Sequence, residues 1–442
     1  MTRISEQTAH PGPDSFRTEL SRGEERIDRA TWAGAIPPEH AIAPRLRVGR
    51  DRWFNVLWLI PIGFVLALAA VAVAQGIRTM PSVSHFIARY PGEVRPAHAA
   101  RDAGMPWWVN LQHFVHLLFM MFIIRSGWQI LVDHPRLYWT RHSQPGAEWV
   151  RLRTKSPDDP LWTAKQDCVD LPKHVGLPGL RHTIGLARWW HFTVDLAWLV
   201  NGIVFYVLIF ATPQWRRLVP TSWDVFPNAL SALIQYLSLD FPANHGWVVY
   251  NSLQLLAYFV TVFVAAPLAL ITGLGMSPAL ATRLPRFSRV FSIQVARSLH
   301  ALVMVWFVIF IVAHVTMVFV TGARVNLNAM FAARDGASWF GVGIFAVAIA
   351  IVLAAWFAAS PFTLRHPRVV QKVGDTLVGP LQRRFEKVHV KSHRYTEADI
   401  TEHLWHNGRY PDSDEYKAML ASDFTEYRLR INGLVDNPVE LS

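Results

Sequence analysis

Five histidines, His113, His116, His191, His300 and His314, lie inside long apolar stretches of this 442-residue chain. Ionisable side chains within hydrocarbon are rare and functional by default. A neutral imidazole offers a metal one lone-pair nitrogen, and its other nitrogen can be fixed by a hydrogen bond. His300 and His314 share one stretch and are separated by about 21 Å of helical rise, close to four whole turns, which leaves them about 40° apart around the axis. Both therefore face one interior at two depths. Successive membrane crossings alternate direction, so His113 and His116 come to the depth of His314, and His191 to the depth of His300. Two axial pairs follow: His191 with His300, and His113 or His116 with His314. This is the ligand set of two b-type haems, each held by two imidazoles. Any one of these histidines alone reads as a hydrogen-bonded core residue or an interfacial anchor; the joint match in depth singles out ligation. His113 and His116 sit on adjacent turns, so one binds iron and the other contacts a propionate or nothing.

The elements that must position these residues are six apolar stretches: Trp53 to Gln75, Trp107 to Val132, Trp189 to Thr212, Trp247 to Gly273, Ser298 to Thr321 and Ser338 to Ser360. Each reaches the roughly 20 residues needed to cross a bilayer as a helix. Charged residues make up 17% of the chain, against roughly 25% in soluble domains. The fold class is therefore an all-α integral membrane protein with six transmembrane helices. Soluble enzymes and outer-membrane barrels are excluded. The net charge of +11 resides in tails and loops, which fits a lipid surface and not nucleic acid. A single cysteine, Cys168, excludes internal disulfides, a Cys-ligated iron–sulfur cluster and a covalent haem site, and reads as a structural thiol. The first apolar run follows a polar, Arg-rich segment, so it reads as a true span and not a cleaved signal peptide.

Polar tails are expected at 1–52 and 361–442, and the 133–188 loop is polar enough to fold weakly or dock. Residues 223–241 space their apolar side chains for an interfacial helix. With six crossings both termini share a side with the 133–188 and 274–297 loops. Counted over 1–52, 133–187, 274–290 and 361–442, that side carries 32 of the 43 Lys and Arg residues, which places it in the cytoplasm.

Near the expected ligands, Arg188 and Arg297 each precede a histidine by three residues, where a guanidinium either meets a haem propionate or anchors the helix end. Gly127, Gly202 and Gly273 leave room for a macrocycle or a neighbouring helix. Arg125 and Asp195 lie at similar depth and are expected to form a salt bridge. The alternative role for Asp195 is proton exchange with a quinone beside the tail-side haem.

At these residues the sequence resembles the di-haem cytochrome b subunits of formate dehydrogenases, nickel–iron hydrogenases and thiosulfate reductases. The matching segments are HFVHLLFMMFIIRSGWQI (113–130), ARWWHFTVDLAWLVNGIVFYV (187–207), YNSLQLLAYFVTVFVAAPLALITGLGMSP (250–278) and ARSLHALVMVWFVIFIVAHVTMVFVTG (296–322). The resemblance selects His113 by its spacing to Ser126 and Gly127, and implies His191, His300 and His314 as the other ligands. It further implies a subunit in a bacterial plasma membrane that moves electrons between quinone and a partner's metal centres. The resemblance covers 105–322 and implies a four-helix di-haem core there, with one extra helix at each end; the extra first span inverts that core if the N-terminus stays inside, so the family's usual partner side does not carry over.

The stretch DFTEYRLRINGLVDNPVELS (423–442) alternates like a strand at Arg428 to Ile431 and turns at Asn432 and Gly433, with nothing expected to follow that could pair with it. It looks like the opening of a sulfite-oxidase-like molybdopterin domain, implying a molybdopterin oxidoreductase as the partner. Two other readings share the intramembrane charges: a proton-coupled transporter, which requires inverted repeats that this sequence does not show, and a haem-free membrane anchor for a partner enzyme, which leaves four depth-matched histidines unexplained.

Overall fold

A computed structural model describes residues 44–94, 105–144, 146–153, 167–179, 183–241, 247, 249–277, 284–386, 413–431 and 437–441. The tail ahead of residue 44, residues 387–412 and the turn expected at Asn432 and Gly433 lie outside these residues.

Six helices are long and apolar enough to span a membrane: Val56–Arg78, Trp107–Asp133, Ile184–Ala211, Ser252–Gly275, Ile293–Val320 and Trp339–Arg365. Their boundaries follow local chemistry more than hydropathy. The fourth span starts at Ser252 and not at Trp247, because Asn251 and Gln254 close a reciprocal capping box on its first turn. Ser292 caps the fifth span through the Val295 N–H at 3.3 Å. Within the fourth span, Val260–Ala265 forms one wide π turn ahead of Pro267, and Tyr206 of the third span donates to the Val262 carbonyl there at 2.6 Å. A side chain from a neighbouring helix thus engages backbone where the regular ladder is interrupted.

The second and third spans pack along each other, as do the fourth and fifth. Phe122, Val194 and Ala359 bring the second, third and sixth spans together over Leu177, while Ala265, Val303 and Phe307 join the fourth and fifth beside Met120 and Ile124. By contrast the first span is almost wholly open to its surroundings. It meets the rest at the Val225–Leu237 helix, where Arg78 binds Asp240 at 2.6 Å. That helix covers most of the 223–241 stretch and exposes Phe226, Leu230 and Leu233, with Trp223 exposed just ahead of it.

At the other end of the first span lies a small antiparallel sheet that hydropathy does not anticipate. Its strands are β1 (Arg45–Arg47), β2 (Trp53–Asn55), β3 (Arg136–Leu137) and β4 (Val150–Arg151), ordered β2-β1-β4-β3. Trp53 therefore belongs to a strand and not to the first helix. The 133–188 loop, expected to fold weakly, is packed where it is described: Arg136 forks onto Asp167 at 2.7 Å and reaches Glu148 at 3.0 Å, all three buried. Burial alone would lower the Arg136 pKa, but the Asp167 hydrogen bond and the charges of Asp167 and Glu148 outweigh it and hold it above its ordinary value. Cys168 is buried beside this pair, and its carbonyl accepts from Arg153.

Arg125 does not pair with Asp195. Its guanidinium points away from the third span, donating to the carbonyls of Gly176 (3.0 Å), Lys173 and Trp356 (2.5 Å each) and to Ser360 Oγ (2.7 Å), with its charge over the Trp356 ring. It pins the 173–176 loop to the sixth span, and four acceptors satisfy a buried cation without a carboxylate.

Beyond the sixth span, Pro367–Glu386 forms a helix that returns along the third span with Gly374 against the Trp189 ring. The expected lone strand is paired: β5 (Leu429–Ile431) meets β6 (Val439–Leu441) antiparallel, with Arg430 bound to Glu440 at 3.1 Å. Every described residue of this hairpin is exposed.

Candidate functional site

The five intramembrane histidines sort into two pairs and one outlier. His191 faces His300 with ring centres 6.2 Å apart, and His113 faces His314 at the same 6.2 Å, with interplanar angles of 75° and 61°. His116 instead packs between Trp198 and Phe205 of the third span, so His113 is the residue brought opposite His314.

The spacing has a chemical meaning. A ligating imidazole nitrogen lies about 2 Å from its metal and roughly 1 Å from its own ring centre, so two rings sharing one metal stand about 6 Å apart. Both pairs have this separation. Among the described residues no cluster of three or more His, Cys, Asp or Glu could hold a metal ion. Two imidazoles across a gap fit a group that brings its remaining ligands with it, as the four ring nitrogens of haem do.

Tautomers at the tail-side pair are set by hydroxyls. Ser126 Oγ gives its single proton to the Phe122 carbonyl at 2.7 Å and contacts His191 Nδ1 at 3.0 Å. Thr272 Oγ1 likewise donates to Leu268 O at 2.6 Å and contacts His300 Nδ1 at 2.9 Å. With each hydroxyl proton directed at its carbonyl, Nδ1 is assigned as the donor, the tautomer that leaves the Nε2 lone pair for a metal. The next residue is glycine both times. A Cβ on Gly127 would lie 3.2 Å from His191 Cε1, and one on Gly273 would lie 3.7 Å from His300 Cε1. Two hydroxyl–glycine dipeptides, on different helices, thus orient and accommodate the two rings. Gly202 has no such neighbour within 4 Å. The hydroxyl partners were missed in the sequence, although a Ser-Gly or Thr-Gly step late in two spans was there to be seen.

In the second pair His314 stacks on Phe310 and has Tyr258 OH at 3.3 Å from Nδ1. His113 Nδ1 is buried without a hydrogen-bond partner, with Phe331 edge-on to the ring. A buried, unpaired ring nitrogen is costly in an apolar interior unless something binds the ring.

Around the tail-side pair, Asp195 Oδ2 is 3.5 Å from His191 Nε2, one turn deeper into the membrane. Arg188 is exposed at the end of the third span. Arg297 spends both terminal nitrogens on the carbonyls of Arg136 and His134, which ties the end of the second span to the start of the fifth.

Residues 104–333, which contain all five histidines, match the family model described as prokaryotic cytochrome b561. The chain is also 25% identical over 216 residues, 48% of its own length and 88% of the relative's, to the putative protein-methionine-sulfoxide reductase subunit YedZ1 of Azospira oryzae. No solved structure matches the chain. With the family match running across more than half of the chain and through four of its six apolar spans, the protein is a multi-pass membrane member of the prokaryotic cytochrome b561 family, whose cofactor is b-type haem.

Proposed function

We propose that this protein carries electrons between the membrane quinone pool and a molybdopterin oxidoreductase, using two b-type haems. His113 and His314 hold one, and His191 and His300 hold the other. The observation that carries this reading is the pair of imidazole gaps, equal in width and about four helical turns apart on the fifth span. Haem, when bound, supplies a one-electron redox centre whose potential depends on its ligands and burial.

The chain's own residues do the rest. Ser126 and Thr272 hold the tail-side imidazoles in the tautomer that presents Nε2. Gly127 and Gly273 keep side chains out of the gap. Arg188, exposed at the mouth of this pair, is the cation available to a propionate, whereas Arg297 also anchors backbone. Asp195 lies beside the tail-side pair, where it takes or gives the proton that accompanies quinone chemistry. The partner reading draws on the curated relative, named as a subunit of a protein-methionine-sulfoxide reductase, and on the resemblance of 423–442 to a molybdopterin domain. The exposed β5–β6 hairpin supports it as well, since a two-stranded ribbon is marginal alone and its edges suit a partner's sheet. The excess of Lys and Arg on the termini side supports a cytoplasmic position for that side and for a partner bound there.

The test is anaerobic mixing of the purified protein with a short-chain quinol, and of its dithionite-reduced form with the matching quinone, read at the haem α-band. Electron exchange in at least one direction is expected; inertness in both, with several quinone types, contradicts the proposal. In the same assay Asp195→Asn is expected to keep its haem content and exchange electrons about a hundredfold more slowly, the lower end of what a general acid or base contributes. An unchanged rate would strip Asp195 of the proton role.

A further inference from the structure

The sheet beside the first span has two chemically different faces. Its register aligns Phe54, Leu46, Val150 and Leu137 on one face and Asn55, Arg45, Arg151 and Arg136 on the other, with Arg47 opposite Trp53 in the next row of that second face. Like charges directly opposite one another destabilise a sheet unless an anion lies between them. Arg136 has Asp167 and Glu148. Arg151 shares Glu148 at 3.8 Å and covers the Trp53 ring at 3.9 Å. Arg45, its cross-strand neighbour, has no acidic partner among the described residues. The Nε atoms of Arg45 and Arg151 are both buried with no hydrogen-bond partner, and Arg151 is only 7% exposed. Burial and the charges of Arg136, Arg45 and Arg47 hold the Arg151 pKa below its ordinary value against the pull of Glu148. The row is short of negative charge.

Next to it opens a cavity of about 550 Å³ lined by Arg45, Trp53, Phe54, Asn55, Trp58 and Ile62. Asn55 spends its Oδ1 on the Leu57 N–H, so its amide NH2 is the group left to donate. Trp58 and Ile62 belong to the first span, and they are 61% and 43% exposed. One end of the cavity therefore offers cationic and amide donors, and the other offers apolar surface continuous with a helix that faces lipid.

We propose that this cavity binds an anionic phospholipid, its phosphate received by Arg45 and Asn55 and its acyl chains lying along Trp58 and Ile62. A basic pocket at the membrane interface, flanked by aromatic side chains, has the chemistry that anionic headgroups require. A lipid fits better than a free anion because only a lipid also covers the apolar end.

Native mass spectrometry of the full-length protein in detergent tests this with three probes: phosphatidylglycerol, phosphatidylcholine of the same chain length, and inorganic phosphate. The intact chain should retain one phosphatidylglycerol in preference to phosphatidylcholine. Arg45→Gln should weaken that retention about fivefold, the contribution of one basic residue near an anionic membrane surface. Because Arg45 also belongs to the sheet, Trp58→Ala, outside it, is the second variant and should weaken retention too. Arg50→Gln, exposed and outside the cavity, should leave it unchanged. Equal retention of both lipids, or full phosphatidylglycerol retention by Arg45→Gln and Trp58→Ala, would overturn the proposal. Displacement of the lipid by an equal concentration of inorganic phosphate would overturn the lipid assignment in favour of a simple anion site.

Discussion

Arg125→Leu is expected to cost the protein about 3 kcal/mol or more of stability, comparable to removing one partner from a buried charged contact. The guanidinium is 1% exposed and serves three backbone carbonyls and the Ser360 hydroxyl. Leucine fills most of the volume but takes the guanidinium donors from the Lys173 carbonyl and the Ser360 hydroxyl, leaving Gly176 only its Ser360 contact at 3.3 Å, in a region that water does not reach. The 173–176 loop would detach from the sixth span, and Leu177 and Trp356, held in place beside it, would lose packing. Arg125→Lys should recover only part of the loss, since one ammonium cannot fork to acceptors spread around a planar guanidinium. Thermal unfolding monitored by size-exclusion elution decides it: a wild-type midpoint for Arg125→Leu would show that the network contributes little.

Gly127→Leu is expected to remove the tail-side haem and spare the outer one, although no ligand is changed. Even a Cβ at this position would sit 3.2 Å from His191 Cε1 and 3.8 Å from Met304 Sδ. A branched side chain must therefore push the imidazole off its line to His300 or occupy the gap itself. Haem content should fall by half, measured as pyridine haemochrome on the purified variant, while Gly202→Leu, which has open space around it, should keep both. Two haems retained in Gly127→Leu would mean that this helix face does not border the cofactor.

What the sequence disclosed and what it hid follow from the range of the forces involved. A span is a local property, a run of about 20 apolar residues, so all six helices were legible, with end shifts caused by caps such as Asn251. The depth pairing of His191 with His300 and of His113 with His314 was legible because alternate crossings fix depth without any knowledge of contacts. The sheet was not: β1 and β4 pair Arg45 with Arg151 across more than one hundred residues, and strands of two or three residues leave no periodicity. Nor was the partner of Arg125. Its acceptors are mainly backbone carbonyls, which every residue carries, so the nearest acid by depth, Asp195, drew attention instead. Ser126 and Thr272 stayed hidden because a hydroxyl in an apolar helix ordinarily bonds its own preceding turn. Both do that here, and the same oxygen then accepts from a histidine.

If four histidines hold two haems in fixed pairs, each ligand variant must lose one identifiable haem. Pyridine haemochrome quantitation, combined with reduced-minus-oxidised spectra during a redox titration, tests it on the detergent-purified chain and on His113→Ala, His191→Ala, His300→Ala, His314→Ala and His116→Ala. Two b haems are expected in the unaltered chain and in His116→Ala. His113→Ala and His314→Ala should lose one spectral component, and His191→Ala and His300→Ala the other. A single haem per chain, or His113→Ala and His300→Ala losing the same component, would contradict this pairing.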